Sequence, residues 1–306
     1  MALPSLRIGT RGSPLALAQA YETRRLLAAS GGVNENAIEI VVIKTTGDLI
    51  QDRALSESGG KGLFTRELDA AQLAGAIDLA VHSSKDLPTL LPEGLAIAGC
   101  LPREDPRDAF ISIRAHRLQD LPPDATLGTA SLRRGAMALR LRPDLKITLL
   151  RGNVETRLGK AESGAIDATL LALAGMKRLG FEHRATSILA IDEFLPAVGQ
   201  GAIAITTRAD DVATNRALQA ILHTPTGAAL QAERAFLTVL DGSCRTPIGG
   251  HATIAGAKLR FRGLVLRPDG SQALDVVDEG AAIDAESIGR RAGQSLLARM
   301  PAGFLA

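Results

Sequence analysis

Cations and hydroxyls recur along this sequence at one kind of place, just after a short apolar run of strand character. Leu6–Thr10 is followed by Arg11, Gly12 and Ser13, and the run ending at Val81 by Ser83, Lys85 and Asp86. Thr126–Gly128 is followed by Thr129, Ser131, Arg133 and Arg134. Lys146–Leu150 leads to Arg151 and Arg157, and Ala168–Leu173 to Lys177 and Arg178. In open α/β sheets, ligands bind beyond the carboxyl ends of the strands. Guanidinium forks pair bidentately with carboxylate or phosphate, and helix starts at Ser13 and Ser131 add backbone N–H donors for anions. The expected chemistry is the holding of a small molecule rich in carboxylates, in one cleft between two domains.

Other residues carry less. Arg140 and Arg142, further along their helix, read as solvated surface. Lys85-Asp86 fits an ordinary loop pair as well as a functional one. Cys100, inside the apolar run Ala96–Leu101, reads as a small core residue. Cys244 differs, because it stands between Gly, Ser and Arg in a loop, and Arg245 would favour its thiolate. Spacing alone still leaves a loop cysteine without a special role as an open reading. His82 has no neighbours at metal-ligand spacing, so no metal is expected.

These groups need a frame, and the pattern supplies an alternating one. Ser13 suits an N-cap and Pro14 the first helical position of a helix over Pro14–Ala29. Ile38–Thr45 reads as a strand, and Thr46–Gly62, rich in Gly, Ser and charge, as a long loop acting as a lid. Leu63–Ala74 reads as helix, and Asp78–Val81 and Leu95–Leu101 as strands. After a joint at Pro102–Asp108 the alternation restarts: strand Ala109–Ile113, strand Thr126–Gly128, a helix from near Ser131, strand Lys146–Leu150 and helix Val154–Ser163. Strand Ala168–Leu173 and helix Ala174–Leu179 complete it. Such alternation argues for parallel sheets with crossover helices. A second joint at Pro196–Gly201 leads into strand Ala202–Thr206. Two helices, a strand pair turning at Pro268-Asp269-Gly270 and a helix over Ala285–Met300 then form a smaller α+β part.

Composition narrows the classes. At 306 residues, two or three domains are expected, and 46% hydrophobic residues suffice for ordinary cores. Only 3% are aromatic, with no Trp, which argues for aliphatic cores and against base-stacking platforms. No signal peptide or membrane-length apolar run is read. With only two cysteines, a reduced cytoplasmic setting fits. The net charge is +2, yet Ser131–Lys160 holds eight basic residues against two acidic ones, or +6. That segment is a local basic surface suited to an anion.

Eight motifs, in order, carry a resemblance. They are Thr10-Arg11-Gly12-Ser13-Pro14-Leu15-Ala16, Gly59-Gly60-Lys61-Gly62-Leu63-Phe64, His82-Ser83-Ser84-Lys85-Asp86-Leu87-Pro88 and Arg103-Glu104-Asp105-Pro106-Arg107-Asp108-Ala109-Phe110. Ser131-Leu132-Arg133-Arg134, Leu150-Arg151-Gly152-Asn153-Val154 and Leu195-Pro196-Ala197-Val198-Gly199-Gln200-Gly201-Ala202 follow, with Gly242-Ser243-Cys244 near the end. Together they resemble the porphobilinogen deaminase (hydroxymethylbilane synthase) family over essentially the whole chain. Ser84, Ala130 and Ser243 stand where Met, Ser and Gly are commoner, and none of these removes a charged group.

The resemblance implies a transferase of tetrapyrrole biosynthesis that condenses four porphobilinogen molecules head to tail into hydroxymethylbilane, releasing ammonia. It implies a dipyrromethane cofactor in thioether linkage to Cys244 and a catalytic carboxylate at Asp86. Arg11, Ser13, Lys61, Ser83, Lys85, Thr129, Ser131, Arg133, Arg134, Arg151, Arg157, Arg178 and Gln200 would bind cofactor and substrate. The implied α/β fold has two periplasmic-binding-protein-like domains with parallel-rich mixed sheets, plus a smaller α+β third domain. Residues 1–101 with 197–220 would form the first, 102–196 the second and 221–306 the third. The partner would be the small-molecule substrate, with no nucleic acid or membrane, and the enzyme a monomer. Two other readings share features with it. A two-domain receptor for an anionic ligand would use the arginines but not Cys244, and a nucleic-acid binder would use Ser131–Lys160 but lacks aromatic residues.

Overall fold

The computed structural model of the chain describes residues 5–31, 33–49, 62–240 and 246–304. β1 (Leu6–Thr10) passes straight into α1 (Pro14–Ala29) because Ser13 Oγ accepts the Ala16 N–H at 3.3 Å and Pro14 is preset for the first turn. β2 (Ile38–Val42), α2 (Thr46–Leu49), α3 (Arg66–Leu73), β3 (Leu79–Ser83) and β4 (Leu95–Cys100) follow. Next come β5 (Asp108–Ile111), β6 (Thr126–Gly128), α4 (Leu132–Leu141), β7 (Lys146–Thr148), α5 (Val154–Glu162), β8 (Ala168–Ala172), α6 (Leu173–Arg178) and β9 (Ser187–Ile188). The chain closes with β10 (Ile203–Arg208), α7 (Val212–Leu218), α8 (Thr224–Val239), β11 (Ile248–Ala255), β12 (Lys258–Leu266), β13 (Ala273–Ala281) and α9 (Ala285–Arg299).

The described residues divide into two compact units, one from 5–49, 62–104 and 202–227, the other from 105–201 and 228–304. The first holds a five-stranded sheet in the order β2-β1-β3-β10-β4. β1 is parallel to β2 and β3, while β10 runs antiparallel between β3 and β4. Ile8, Leu79, Val81, Ile203 and Ile205 pack beneath α1 through Ala20 and Leu27.

The second unit repeats the scheme as β7-β6-β8-β5-β9, with β6 parallel to its neighbours and β5 antiparallel to its own. Both sheets are therefore mixed and parallel-rich. The antiparallel strand comes in each case from a chain segment that enters the sheet from outside its βαβ run. The same unit contains the antiparallel sheet β11-β12-β13. Its core holds Phe236, Leu259, Phe261, Ile288 and Leu296, with the Phe236 and Phe261 rings 4.8 Å apart. α8 and α9 meet at Gly289, where a Cβ would stand 2.0 Å from Ala232 O. Leu266 of β12 joins the core of Phe110, Leu127 and Phe194.

Three expectations need correction. The terminal strand pair is a three-stranded sheet, because β11 pairs with β12 before the Pro268–Gly270 turn. Thr46–Leu49, expected as loop, is a helical turn, tied to α3 by Glu67, which accepts from the Thr46 N–H at 3.0 Å. The helix expected from Leu63 starts at Arg66. The rest of the expected lid loop, 50–61, lies outside the described residues.

Candidate functional site

In the first unit, the end of β1 delivers Arg11 into a cage of acidic and aromatic groups. Its Nε donates to Asp48 Oδ1 at 3.1 Å, and its Nη2 to the same carboxylate. Its guanidinium lies 4.2 Å from the Phe64 ring centre, and its Nη1 is 3.9 Å from Asp86 Oδ2. Burial pushes the Asp48 carboxyl up, but the Arg11 and Thr45 hydrogen bonds outweigh it and hold the group below the ordinary range. Asp86 sits in the turn Ser84–Asp86 after β3, its side chain 34% exposed. Ser83 Oγ accepts from Gln19 Nε2 at 2.9 Å, and Lys85 is half-buried in the same turn. Arg11, Ser13, Gln19, Ser83 and Asp86 line one concavity with Phe64. A carboxylate and a guanidinium therefore face the same space, able to meet a cationic centre and an anionic arm together.

His82, one residue behind Ser83, is buried and turned to structure. The Thr206 hydroxyl donates to Gln72 Oε1 at 2.9 Å, so it accepts from His82 Nε2 at 3.2 Å. Burial, and then the charge of Arg11, push the imidazole down from 6.5 to about 4. The unfolded chain protonates this ring first as pH falls. Its contribution to stability is thus complete above about pH 6.5 and is lost progressively between there and about pH 4. The whole loss is on the order of 3 kcal/mol. Urea midpoints at pH 7 and pH 5 should fall further apart in the wild type than in His82→Gln. Equal pH dependence in the two would remove His82 as the cause.

In the second unit, Arg133 and Arg134 converge on one carboxylate that sequence reasoning missed. Thr129 Oγ1 accepts the Ser131 N–H at 3.1 Å, and Ser131 Oγ caps α4 by accepting the Arg134 N–H at 3.4 Å. Asp108, the first residue of β5, is 0% exposed. Its Oδ2 accepts from Arg133 Nη2 at 2.6 Å, and its Oδ1 from Arg134 Nη2 at 2.7 Å and Nε at 3.1 Å. Gln200 Nε2 adds a bond to Oδ1 at 3.0 Å and one to Pro106 O at 2.7 Å. Arg133 Nη1 also donates to Leu195 O at 2.7 Å, while its buried Nε has no acceptor among the described residues. Burial raises the Asp108 carboxyl, but the two guanidiniums more than reverse this and hold it far below the carboxylate range. Burial likewise lowers Arg133, partly offset by Asp108. The arginines are 4% and 5% exposed and lie beneath the surface rather than on it.

Arg151, Arg157 and Arg178 complete the set. Arg151 follows β7 half-buried, and Arg157 Nε donates to Gly152 O at 2.8 Å across a turn whose φ of +112° suits glycine. Arg178 Nη2 donates to Gly201 O at 3.0 Å from the end of α6. Arg142 is structural, clamped to Asp144 and to Gln119 O and Leu121 O, and Arg140 is exposed. Lys61 and Cys244 lie outside the described residues. Among the described residues, no group of three or more His, Cys, Asp or Glu side chains is placed to hold a metal ion. Nor is any helix among them long and apolar enough to cross a membrane.

The family model described as porphobilinogen deaminase, dipyromethane cofactor binding domain, matches residues 6–216, and that of the porphobilinogen deaminase C-terminal domain matches residues 228–298. Porphobilinogen deaminase of Nitrobacter hamburgensis is 59% identical over 292 residues, covering 95% of this chain and 92% of its own. That of Nitrobacter winogradskyi is similar to the same degree and extent. Among solved structures, an ABC-transporter periplasmic substrate-binding protein from Coxiella burnetii matches 75% of this chain and 96% of its own. Its TM-score is 0.44 at 15% identity.

Proposed function

From the premise that this chain belongs to the porphobilinogen deaminase family, we propose that it joins four porphobilinogen molecules head to tail into hydroxymethylbilane, starting from a dipyrromethane held on Cys244. The observation that most supports this is the 59% identity over 95% of the chain. In each addition the protonated aminomethyl group leaves as ammonia, taking the C–N bonding pair. The cationic methylene then forms a C–C bond with the free α-carbon of the growing chain, and that carbon's hydrogen departs as a proton.

The residues fit a group that bears carboxylate arms and pyrrole N–H donors. Guanidiniums and hydroxyls suit the arms, the Asp86 carboxylate suits the N–H groups, and the buried Arg133 Nε is a donor with no acceptor among the described residues. When bound, the dipyrromethane supplies the pyrrole α-carbon on which the first addition is made. Asp86 binds pyrrole N–H, stabilises the cationic methylene and assists the proton movements. Arg11, Lys61, Lys85, Arg133, Arg134, Arg151, Arg157 and Arg178 neutralise arms, while Ser13, Ser83, Thr129, Ser131 and Gln200 add neutral hydrogen bonds. Cys244 is a soft nucleophile suited to attack a methylene electrophile. The β11-β12-β13 part, with a core of its own, is the third domain and presents Cys244. The enzyme works as a cytoplasmic monomer without nucleic acid or membrane.

Intact-protein mass with peptide mapping tests the whole reading. The purified chain should be heavier than its sequence by one dipyrromethane, attached at Cys244 and not at Cys100. A fully active protein with unmodified Cys244 would sink the cofactor assignment, and an adduct-free protein that binds carboxylates without turnover would favour the receptor.

A further inference from the structure

We propose that Asp108 is the positioning residue of the arginine pair, and that its carboxylate sets the net charge of the pair at one, so that the pair accepts a single carboxylate arm and discriminates against dianions. This rests on reading Arg133 and Arg134 as binding groups. Consecutive residues on a helix project about 100° apart, so nothing in α4 by itself brings these two guanidiniums together. Asp108 does so, with Oδ2 taking Arg133 and Oδ1 taking both Nε and Nη2 of Arg134. Its own orientation is fixed by Gln200, whose Nε2 bridges Oδ1 and Pro106 O.

Charge arithmetic then gives the selectivity. Two guanidiniums and one carboxylate leave a single positive charge in a cluster whose members are at most 5% exposed. A monocarboxylate brings that cluster to neutrality. A sulfate or a doubly ionised phosphate would leave an uncompensated buried negative charge, which is strongly unfavourable. Removing the Asp108 charge inverts the preference, because two positive charges match a dianion.

The test uses the full chain as Asp108→Asn and Asp108→Glu beside the wild type. Melting curves are recorded in sodium sulfate and in sodium chloride at equal ionic strength, and cofactor content is read by intact mass. Sulfate stabilises proteins generally, so the readout is the difference from wild type. Asp108→Asn should bind sulfate roughly tenfold more tightly than wild type and carry little cofactor. Asp108→Glu should keep the wild-type sulfate response and most of the cofactor, since the charge is retained. Equal sulfate responses in Asp108→Asn and wild type would overturn the proposal, as would equal cofactor loss in both variants. If Asp108→Asn fails to fold in chloride, recovery in sulfate beyond that given by sucrose supports the charge-setting role, and no recovery beyond it counts against it. An adduct-free wild type would sink the functional reading while leaving the sulfate comparison to judge Asp108.

Discussion

Asp86→Asn should slow turnover of the cofactor-loaded enzyme by about a hundred- to a thousand-fold, the roughly 3–4 kcal/mol that one preorganised electrostatic contact contributes. The substitution keeps the size of the side chain and removes its charge. Substrate binding should suffer less than turnover, because the cationic methylene exists only once ammonia begins to leave. Asp86→Glu keeps the charge about one methylene away and should retain more activity than Asn. The carboxylate is partly exposed and stands 3.9 Å from Arg11, so neither change should cost much stability. Single-turnover kinetics beside melting curves decide between this and a loop-shaping role. In the latter case Asn and Glu would be similarly mild, with stability falling alongside rate, and near-normal turnover in Asp86→Asn would end the catalytic assignment.

Arg133→Leu should have the largest combined effect among the arginines. It removes the 2.6 Å bond to Asp108 and the 2.7 Å bond to Leu195 O in a site closed to water. Breaking a buried pair costs roughly 3–5 kcal/mol, and Arg134 remaining on Oδ1 places this case at the lower end. The cluster that is left is neutral and attracts no anionic arm, so most of the purified variant should lack the cofactor by intact mass. Arg134→Leu should behave similarly, whereas Arg140→Leu should stay within about 0.5 kcal/mol of wild type and load normally. Greater damage from Arg140→Leu would place the binding surface elsewhere.

What the sequence could disclose followed from local physics. α1 with its Ser13 cap and Pro14, and β6 over Thr126–Gly128, are set by neighbouring residues and were legible to the residue. The antiparallel course of β5 and β10 was not, since no local pattern distinguishes a strand fed into a sheet from outside. The cations were legible because repeated placement after strands is a sequence property. Asp48 and Asp108 were not, because an acidic residue in a charged loop or joint reads as solvated surface. Only the fold shows that each acid holds an arginine. Asp108 in particular stood within a charged joint, where Asp105, Arg107 and Asp108 look alike, yet Asp105 pairs with its near neighbour Arg107 while Asp108 is sealed from solvent.

The central position of β10 in the first sheet has a consequence for biosynthesis. β4 has β10 as its sheet neighbour, and β3 carries β10 on its far side. A nascent chain that has just released β4 holds β2, β1 and β3 as a three-stranded ribbon and leaves Leu95–Cys100 with no strand to pair. The missing strand begins at Ile203, about a hundred residues later, which at roughly 5–20 residues per second is a delay on the order of 5–20 s. During that interval the second sheet, whose strands all lie between Asp108 and Ile188, has every partner it needs. The first sheet therefore completes its strand pairing after the five-stranded sheet made next, and an apolar edge stays uncovered on the ribosome while it waits. That interval is where a trigger of aggregation, or a chaperone, would find this chain.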